Sequence, residues 1–136
     1  MTARSKARKR ALDVLFESEV RGLALDGTLQ ERLDEVGKTL NDYTVRLVRG
    51  VAENQARIDE LLSTYSEGWT LDRMPSVDRN VLRLGVFEVL YVDDVPDAVA
   101  VSEAINLVRD LSTDESPAFV NGLLGNIVRN KETLAT

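Results

Sequence analysis

The sequence contains neither cysteine nor histidine. Without cysteine there is no disulfide framework, no thiol nucleophile and no thiolate metal site. Without histidine the commonest general base and the commonest zinc ligand are both missing, which excludes catalytic triads, zinc hydrolysis and histidine proton shuttles. The eight glycines are scattered singly, so no Gly-rich phosphate loop occurs. This composition favours a protein that is not an enzyme and that holds no metal or cofactor.

Long apolar runs are missing as well. No segment reaches the roughly 18 apolar residues that a membrane span needs. The amino-terminal residues lack the apolar block of a secretory signal, and Asp13, Glu17 and Glu19 come too early for an Arg-rich transit peptide. We therefore expect a cytoplasmic protein without membrane contact. Its 136 residues, 43% of them apolar, predict one domain over residues 1–136 with a sizeable core.

Positive charge is scarce except at one end. The chain has 17 basic and 23 acidic residues, a net charge of −6, and five of the basic residues lie in the first ten positions: Arg4, Lys6, Arg8, Lys9 and Arg10. Residues 11–136 keep 12 basic against 23 acidic residues, a net charge of −11. A basic end on an acidic body indicates a polyanion that is bound at one place and repelled elsewhere. An anionic protein or membrane surface and a merely solvated terminus remain open.

The five charges fall within seven residues, nearly two helical turns, so we expect them to point around the helix instead of forming one stripe. If all five contacted single-stranded RNA, log K would fall with log salt at a slope of about −3.5. The seven aromatic residues do not alternate with basic ones as in sheet-type RNA readers. As isolated aromatics, Phe16 and Trp69 are expected to pack against the protein.

Apolar residues recur at three- and four-residue steps almost throughout, which predicts an all-α protein with short connections. Its two helical halves are expected to meet near residues 66–76. Within the last helix, we expect Gly122 to permit a close helix approach and Asn121 to be buried. The predicted helices cover residues 4–21, about 28–36 with Leu29, Leu33 and Val36, 42–66, 76–92 capped by Ser76, one ending near 111, and one starting at Ser116, with a helical turn at 69–75.

Four ordered segments resemble one family. They are A-R-K-R-A-L-D-V-L-F at 7–16, W-T-L-D-R-M-P-S-V-D-R-N-V-L-R at 69–83, P-D-A-V-A-V-S-E-A-I-N-L at 96–107 and S-P-A-F-V-N-G-L-L at 116–124. Together they resemble the NusB family of bacterial transcription antitermination factors, and the likeness extends nearly end to end. It implies an all-α fold, a compact bundle of about seven helices in two subdomains.

The resemblance also implies a function. Members of this family bind the single-stranded boxA element of ribosomal RNA leaders together with a small-subunit ribosomal protein, NusE, and join other Nus factors in the RNA polymerase elongation complex. Carried over by position, the RNA-binding residues are Arg4, Lys6, Arg8, Lys9 and Arg10. The implied partner-binding residues are Phe16, which stands where many relatives have tyrosine, and Asp72, Asp78 and Arg79. Glu115 lies on a loop near the family's RNA surface.

Other interpretations of the same residues remain open. Asp72, Asp78 and Arg79 could belong, with Arg73 and Arg83, to a lattice of surface ion pairs, each contributing about 0–1 kcal/mol. The chain could be a helical protein-interaction adaptor with an incidental basic tail. A helical enzyme of the chorismate mutase type would need arginines around a buried pocket, and the related domain of RNA cytosine methyltransferases accompanies a catalytic cysteine. No heptad seam decides between a monomer and a homodimer.

Overall fold

The structure is a computed structural model that describes residues 2–35 and 39–134, and these residues form helices and no strand. The all-α prediction is confirmed. No helix among the described residues is both long and apolar enough to cross a bilayer. The elements are α1 (Ala3–Arg21), α2 (Leu25–Asp34), α3 (Asp42–Tyr65), a 3₁₀ turn (Leu71–Arg73), α4 (Ser76–Tyr91), α5 (Asp97–Leu111), α6 (Ser116–Arg129) and α7 (Lys131–Leu134).

Local sequence signals define both ends of α1. The Thr2 hydroxyl accepts a hydrogen bond of 3.0 Å from the Ser5 backbone N–H, which satisfies one of the free donors of the first turn. At the other end Gly22 has φ 67°, a left-handed conformation that glycine adopts without steric cost. The Leu23 N–H then donates to the Ser18 carbonyl at 2.9 Å and closes the helix end.

Helix α2 differs from the prediction at its start. It begins at Leu25, three residues earlier than expected, because the N–H groups of both Gly27 and Thr28 donate to the Ala24 carbonyl and Gly27 is taken into the first turn. Val36, assigned to this helix from the sequence, lies outside the described residues. Helix α4 likewise takes in Ser76 as its first residue, and Pro75 occupies the cap position predicted for Ser76.

The contacts divide the chain into two units, residues 1–53 and 54–136. The division falls inside α3 and not near residues 66–76, because a helix that runs unbroken from Asp42 to Tyr65 contributes to both units. In the first unit, the Thr44 hydroxyl donates to the Ala7 carbonyl at 3.0 Å and fastens the beginning of α3 to α1.

The second unit is built around α4, which is apolar over most of its circumference and packs against α5 and α6. A Cβ at Gly85 would lie 2.8 Å from Leu124 Cδ1, so Gly85 is the position that permits the close approach of α4 and α6. The predictions for Gly122 and Asn121 are wrong. Both are exposed and open space surrounds Gly122, because the buried stripe of α6 runs through Val120, Leu123, Leu124 and Ile127.

Candidate nucleic-acid and partner surfaces

The cations of α1 divide between two faces of the helix. Arg4 and Arg8 are four residues apart and share one face, while Lys6 is three residues from Lys9 and four from Arg10, which places these three on the other side of the helix. The five charges therefore do not form one stripe, as expected, and they divide between these two faces. The two faces meet different surroundings, so their members have different roles.

Arg4 and Arg8 face the ring of Tyr43. The guanidinium carbon of Arg4 lies 4.2 Å from the ring centroid and that of Arg8 lies 5.7 Å from it, within the range of a cation–π interaction. Arg8 is only 4% exposed. A side chain that is buried to this degree cannot reach a phosphate, so Arg8 is corrected from an RNA contact to a residue that stabilises the first unit.

The sequence carries a signal for the burial of Arg8. Ala11, Leu12 and Leu15 follow it by three, four and seven residues, which places Arg8 on the apolar stripe of α1. The run of positive charge at residues 4–10 makes this apolar periodicity easy to overlook.

Lys6, Lys9 and Arg10 form the outward basic face of α1. Lys6 and Arg10 are exposed, and neither makes a hydrogen bond or ion pair among the described residues. The Lys9 ammonium lies 2.7 Å from Asp13 Oδ1, an exposed pair that contributes little to stability and that a phosphate could displace. Three adjacent cations on one helix face are suited to contact successive phosphates of a nucleic acid strand.

The same side of α1 becomes apolar toward its carboxyl end. Phe16 is 40% exposed and Val20 is 69% exposed, and Leu23 is also exposed just after the helix. The expectation that Phe16 packs in the core is wrong, because the core stripe of α1 lies on its other side. Phe16, Val20 and Leu23 follow one another at four- and three-residue steps and so form an exposed apolar strip beside the basic face.

An ion-pair network joins α1 to α2 within the first unit. Arg21 lies 2.9 Å from Glu17 and 2.6 Å from Glu31, and Arg32 contacts both Glu17 and Glu35. The hydrogen bonds from Arg21 and then from Arg32 hold the pKa of Glu17 below its ordinary value of 4.5. The network thus ties α2 to the side of α1 that carries Glu17 and Arg21.

In the second unit, Asp72 lies in the 3₁₀ turn and is exposed, as a partner contact requires. A hydrogen bond from the Thr70 side chain lowers the pKa of the Asp72 carboxyl below its ordinary value of 3.8. Trp69, the only tryptophan in the sequence, immediately precedes this turn. Its ring meets Phe119 of α6 edge-to-face at 4.8 Å and remains 38% exposed. The prediction that Trp69 packs against the protein is only partly correct, because one side of the ring reaches solvent.

Asp78 is fully buried at the start of α4, although the sequence assigned it to a partner surface. Its Oδ1 accepts a hydrogen bond of 2.6 Å from the Ser112 hydroxyl and its Oδ2 accepts one of 2.8 Å from the Ser116 hydroxyl. Asp78 therefore holds the loop between α5 and α6, and it is corrected from a direct contact to a residue that positions this loop. Glu115, exposed on the same loop, is held in place indirectly by these bonds.

Arg79 performs the corresponding role for the 3₁₀ turn. Its Nη1 donates to the carbonyl oxygens of Leu71 at 2.7 Å and Met74 at 3.1 Å. Arg83 also makes an internal contact, because its Nε and Nη2 donate to the two oxygens of the Asp59 carboxylate at 2.8 and 3.1 Å. Asp78, Arg79 and Arg83 thus stabilise the second unit through internal hydrogen bonds. Of the three partner-binding residues assigned from the central signature, Asp72 is the exposed one.

No group of three or more acidic residues that could hold a metal ion occurs among the described residues. Both candidate surfaces consist instead of exposed side chains on or beside helices. Their arrangement supports binding of a polyanion at α1 and of a protein at the segment that contains Trp69 and Asp72.

Comparison with known proteins shows similarity to one family. The family model described as "NusB family" matches residues 5–129. The chain is 72% identical over 135 residues to the Transcription antitermination protein NusB of Nocardioides sp. (strain ATCC BAA-499 / JS614), covering 99% of this chain and 100% of the relative. The solved structure of T. maritima NusB is 40% identical, with a TM-score of 0.82 over 94% of this chain and 92% of that one. A structure of the antitermination factors NusB and NusE in complex with double-stranded RNA gives 26% identity and a TM-score of 0.79, over 93% and 96% of the two chains.

Proposed function

Because the chain belongs to the NusB family, we propose that it is a transcription antitermination factor that binds the boxA RNA of ribosomal RNA leaders together with the ribosomal protein NusE. The observation that carries this proposal is the outward basic face of α1, formed by Lys6, Lys9 and Arg10 on a chain whose net charge is −6. The factor acts by binding and positioning, without a chemical step, in the cytoplasm where elongation occurs.

The basic face binds phosphates, and phosphate contacts fix the register of an RNA strand without reading its sequence. With three cations the RNA site is small, so the affinity of the chain alone is modest and selectivity comes from neighbouring groups and from NusE. The Asp13 carboxylate adjoins the basic face on α1. Once a phosphate has displaced it from Lys9, it repels further phosphates and thereby limits the strand to the amino-terminal end of the helix.

The NusE surface includes Asp72 and the exposed side of Trp69. A ribosomal protein neutralises the phosphates of ribosomal RNA and is therefore basic, which complements the ionised Asp72 carboxylate. A half-exposed tryptophan is a common anchor in protein interfaces. We also assign the apolar strip of Phe16, Val20 and Leu23 to partner binding, because a strip of this kind is stabilised when another protein covers it.

The test is the affinity for fluorescein-labelled boxA RNA, measured by anisotropy with and without NusE. Replacing Lys6, Lys9 and Arg10 by glutamine should weaken RNA binding at least tenfold at low salt, because most of the attraction is electrostatic. The matched control replaces three exposed arginines elsewhere, Arg49, Arg57 and Arg109, and removes the same total charge. Equal losses in both triple variants would show that only net charge matters and would refute the assigned face.

Asp72→Lys separates the two partners. It should weaken NusE binding and leave the binding of RNA to the isolated chain unchanged. If NusE binds and the chain lacks RNA affinity both alone and in the complex, the protein is instead an adaptor with an incidental basic end.

A further inference from the structure

The first unit carries a cavity of about 250 Å³ between α1 and α2, at the edge of the outward basic face. Arg10, Asp13, Val14 and Glu17 line it from α1, at the three- and four-residue steps that keep side chains on one side of a helix. The same side of α1 continues into the basic face toward the amino terminus. Arg10 therefore belongs both to the basic face and to the cavity wall.

The carboxylates of the cavity differ in how firmly they are held. Glu17, about 10 Å beyond Arg10 along α1, contacts Arg32 of α2, and Arg32 Nη1 lies 2.6 Å from Glu35 Oε1. This bridge closes the end of the cavity away from the basic face. Asp13 pairs only with Lys9 among the described residues, in an exposed contact of 2.7 Å. A phosphate that binds Lys9 therefore releases the Asp13 carboxylate.

The order of charges along α1 determines which part of an RNA strand faces the cavity. Cations attract phosphates, whereas carboxylates repel phosphates and do not repel an uncharged base. A strand with its phosphates on the basic face consequently turns a base toward the cavity. The cavity is smaller than the pockets that hold drug-sized ligands, which suits a group the size of one base. A basic protein segment would also suit carboxylates, but the adjoining cations repel it.

The chemistry of a carboxylate also selects among the bases. An ionised carboxylate accepts hydrogen bonds and donates none. Guanine has two adjacent donors on its Watson–Crick edge, the N1–H and the 2-amino group, and both can donate to one carboxylate. Uracil has one N–H between two carbonyl oxygens, and adenine and cytosine place a ring-nitrogen acceptor beside the amino group. Those acceptors are repelled by a carboxylate, so the cavity favours guanine.

We propose that this cavity recognises one guanine of the bound RNA, with the Asp13 carboxylate accepting hydrogen bonds from the guanine N1–H and 2-amino group. The inference rests on the function proposed above, because the RNA strand must occupy the basic face before a base can enter the cavity. The cations of that face position the strand without distinguishing bases. Asp13 then adds selectivity to the same site.

The test uses the full chain and fluorescein-labelled single-stranded RNA probes of about nine nucleotides. All nucleotides are uridine except the central one, which is guanosine, inosine or uridine; inosine keeps the N1–H and lacks the 2-amino group. Asp13→Asn removes one charge and one acceptor from the cavity. Asp26→Asn, at an exposed position in the first turn of α2, removes the same charge outside the cavity. Anisotropy at about 50 mM salt gives the affinities, and circular dichroism verifies folding.

Wild type should bind the guanosine probe at least about fivefold more tightly than the uridine probe, the lower end of the range for a bidentate contact to a base edge. The inosine probe should lie between them. Asp13→Asn should bind the three probes within about twofold of one another, because its amide presents a donor where the carboxylate accepted. Its affinity for the uridine probe should equal or exceed that of wild type, because a charge that repels phosphates is gone. Asp26→Asn should keep the wild-type preference.

The inference is overturned if wild type binds the three probes equally, or if Asp13→Asn keeps the preference for guanosine. It is also overturned if Asp13→Asn weakens NusE binding while the preference stays, because the cavity then receives a side chain of a protein. Failure of every probe and of boxA RNA to bind at low salt would overturn the proposed function and this inference with it. Saturable binding without a preference among bases would overturn this inference alone and leave the basic face as the RNA site.

Discussion

The number of cations that reach RNA phosphates can be counted experimentally. Each phosphate neutralised on a single strand contributes about 0.7 to the slope of log K against log salt. The five cations of residues 4–10 would give a slope of about −3.5. The structure exposes Lys6, Lys9 and Arg10, turns Arg8 inward and places Arg4 against the ring of Tyr43, so three cations remain for RNA. We therefore predict a slope of about −2 for the chain without NusE.

Two single substitutions sharpen this prediction. Arg10→Gln removes an outward cation and should reduce the slope to about −1.4. Arg8→Gln should leave the slope near −2 but lower the free energy of unfolding by about 1–3 kcal/mol, because it removes a buried guanidinium from the ring of Tyr43. The two variants lose the same charge, so net charge cannot explain a difference between them.

The assay is anisotropy of labelled boxA RNA over a series of salt concentrations from about 50 to 200 mM. Urea unfolding of the same samples measures the stability effect, and Arg49→Gln is the control for removal of an exposed arginine elsewhere in the first unit. A wild-type slope near −3.5 would contradict the division of α1 into two faces. So would an Arg8→Gln variant that loses as much slope as Arg10→Gln and is as stable as wild type.

Three further predictions concern the internal contacts. Asp78→Ala leaves two serine hydroxyls of the α5–α6 loop without their acceptor and should cost about 1.5–3 kcal/mol in urea unfolding, whereas a surface role would predict a change below about 0.5 kcal/mol. Gly85→Ala should destabilise the protein by about 1–3 kcal/mol, because its Cβ would press on buried Leu124. Gly122→Ala, in open space on a helix, should stabilise it by up to about 1 kcal/mol. Thermal unfolding should therefore show midpoint shifts of opposite sign for the two variants. The folded pKa of Glu17 is lowered, so its ion pairs stabilise the protein above pH 4.5 and lose this effect as the pH falls through the folded value. In Glu17→Gln, the loss of unfolding free energy between neutral and acidic pH should be smaller than in wild type by about 1 kcal/mol or less.

Helix content and most boundaries were predictable from the sequence because they depend on local signals. Thr2 and Gly22 delimit α1 through backbone geometry that a few neighbouring residues decide. The inward positions of α4, such as Val81, Leu82 and Val86, follow from three- and four-residue spacing, and all three are buried. The start of α2 was less predictable, because a glycine in a first turn looks the same in sequence as a glycine that ends a helix.

The partner of each polar residue was not predictable in the same way. Asp78 and Asp72 lie six residues apart in one signature, yet one is buried on Ser112 and Ser116 while the other is exposed. The serines that bind Asp78 are more than 30 residues away in the chain. Periodicity describes which side of a helix a residue occupies and does not identify what packs against that side.

Three properties can be read from the order of residues alone: the protein is helical, its positive charge is concentrated at one end, and its motifs resemble one family. Composition and short-range spacing are sufficient for these conclusions, because charge and helical period are local properties. Which of these charges are available depends on tertiary packing. The ring of Tyr43 on α3 packs against the Arg4 and Arg8 side of α1 and leaves the side with Lys6, Lys9 and Arg10 facing solvent. The cations that stay accessible are thus selected by a contact between residues more than 30 positions apart.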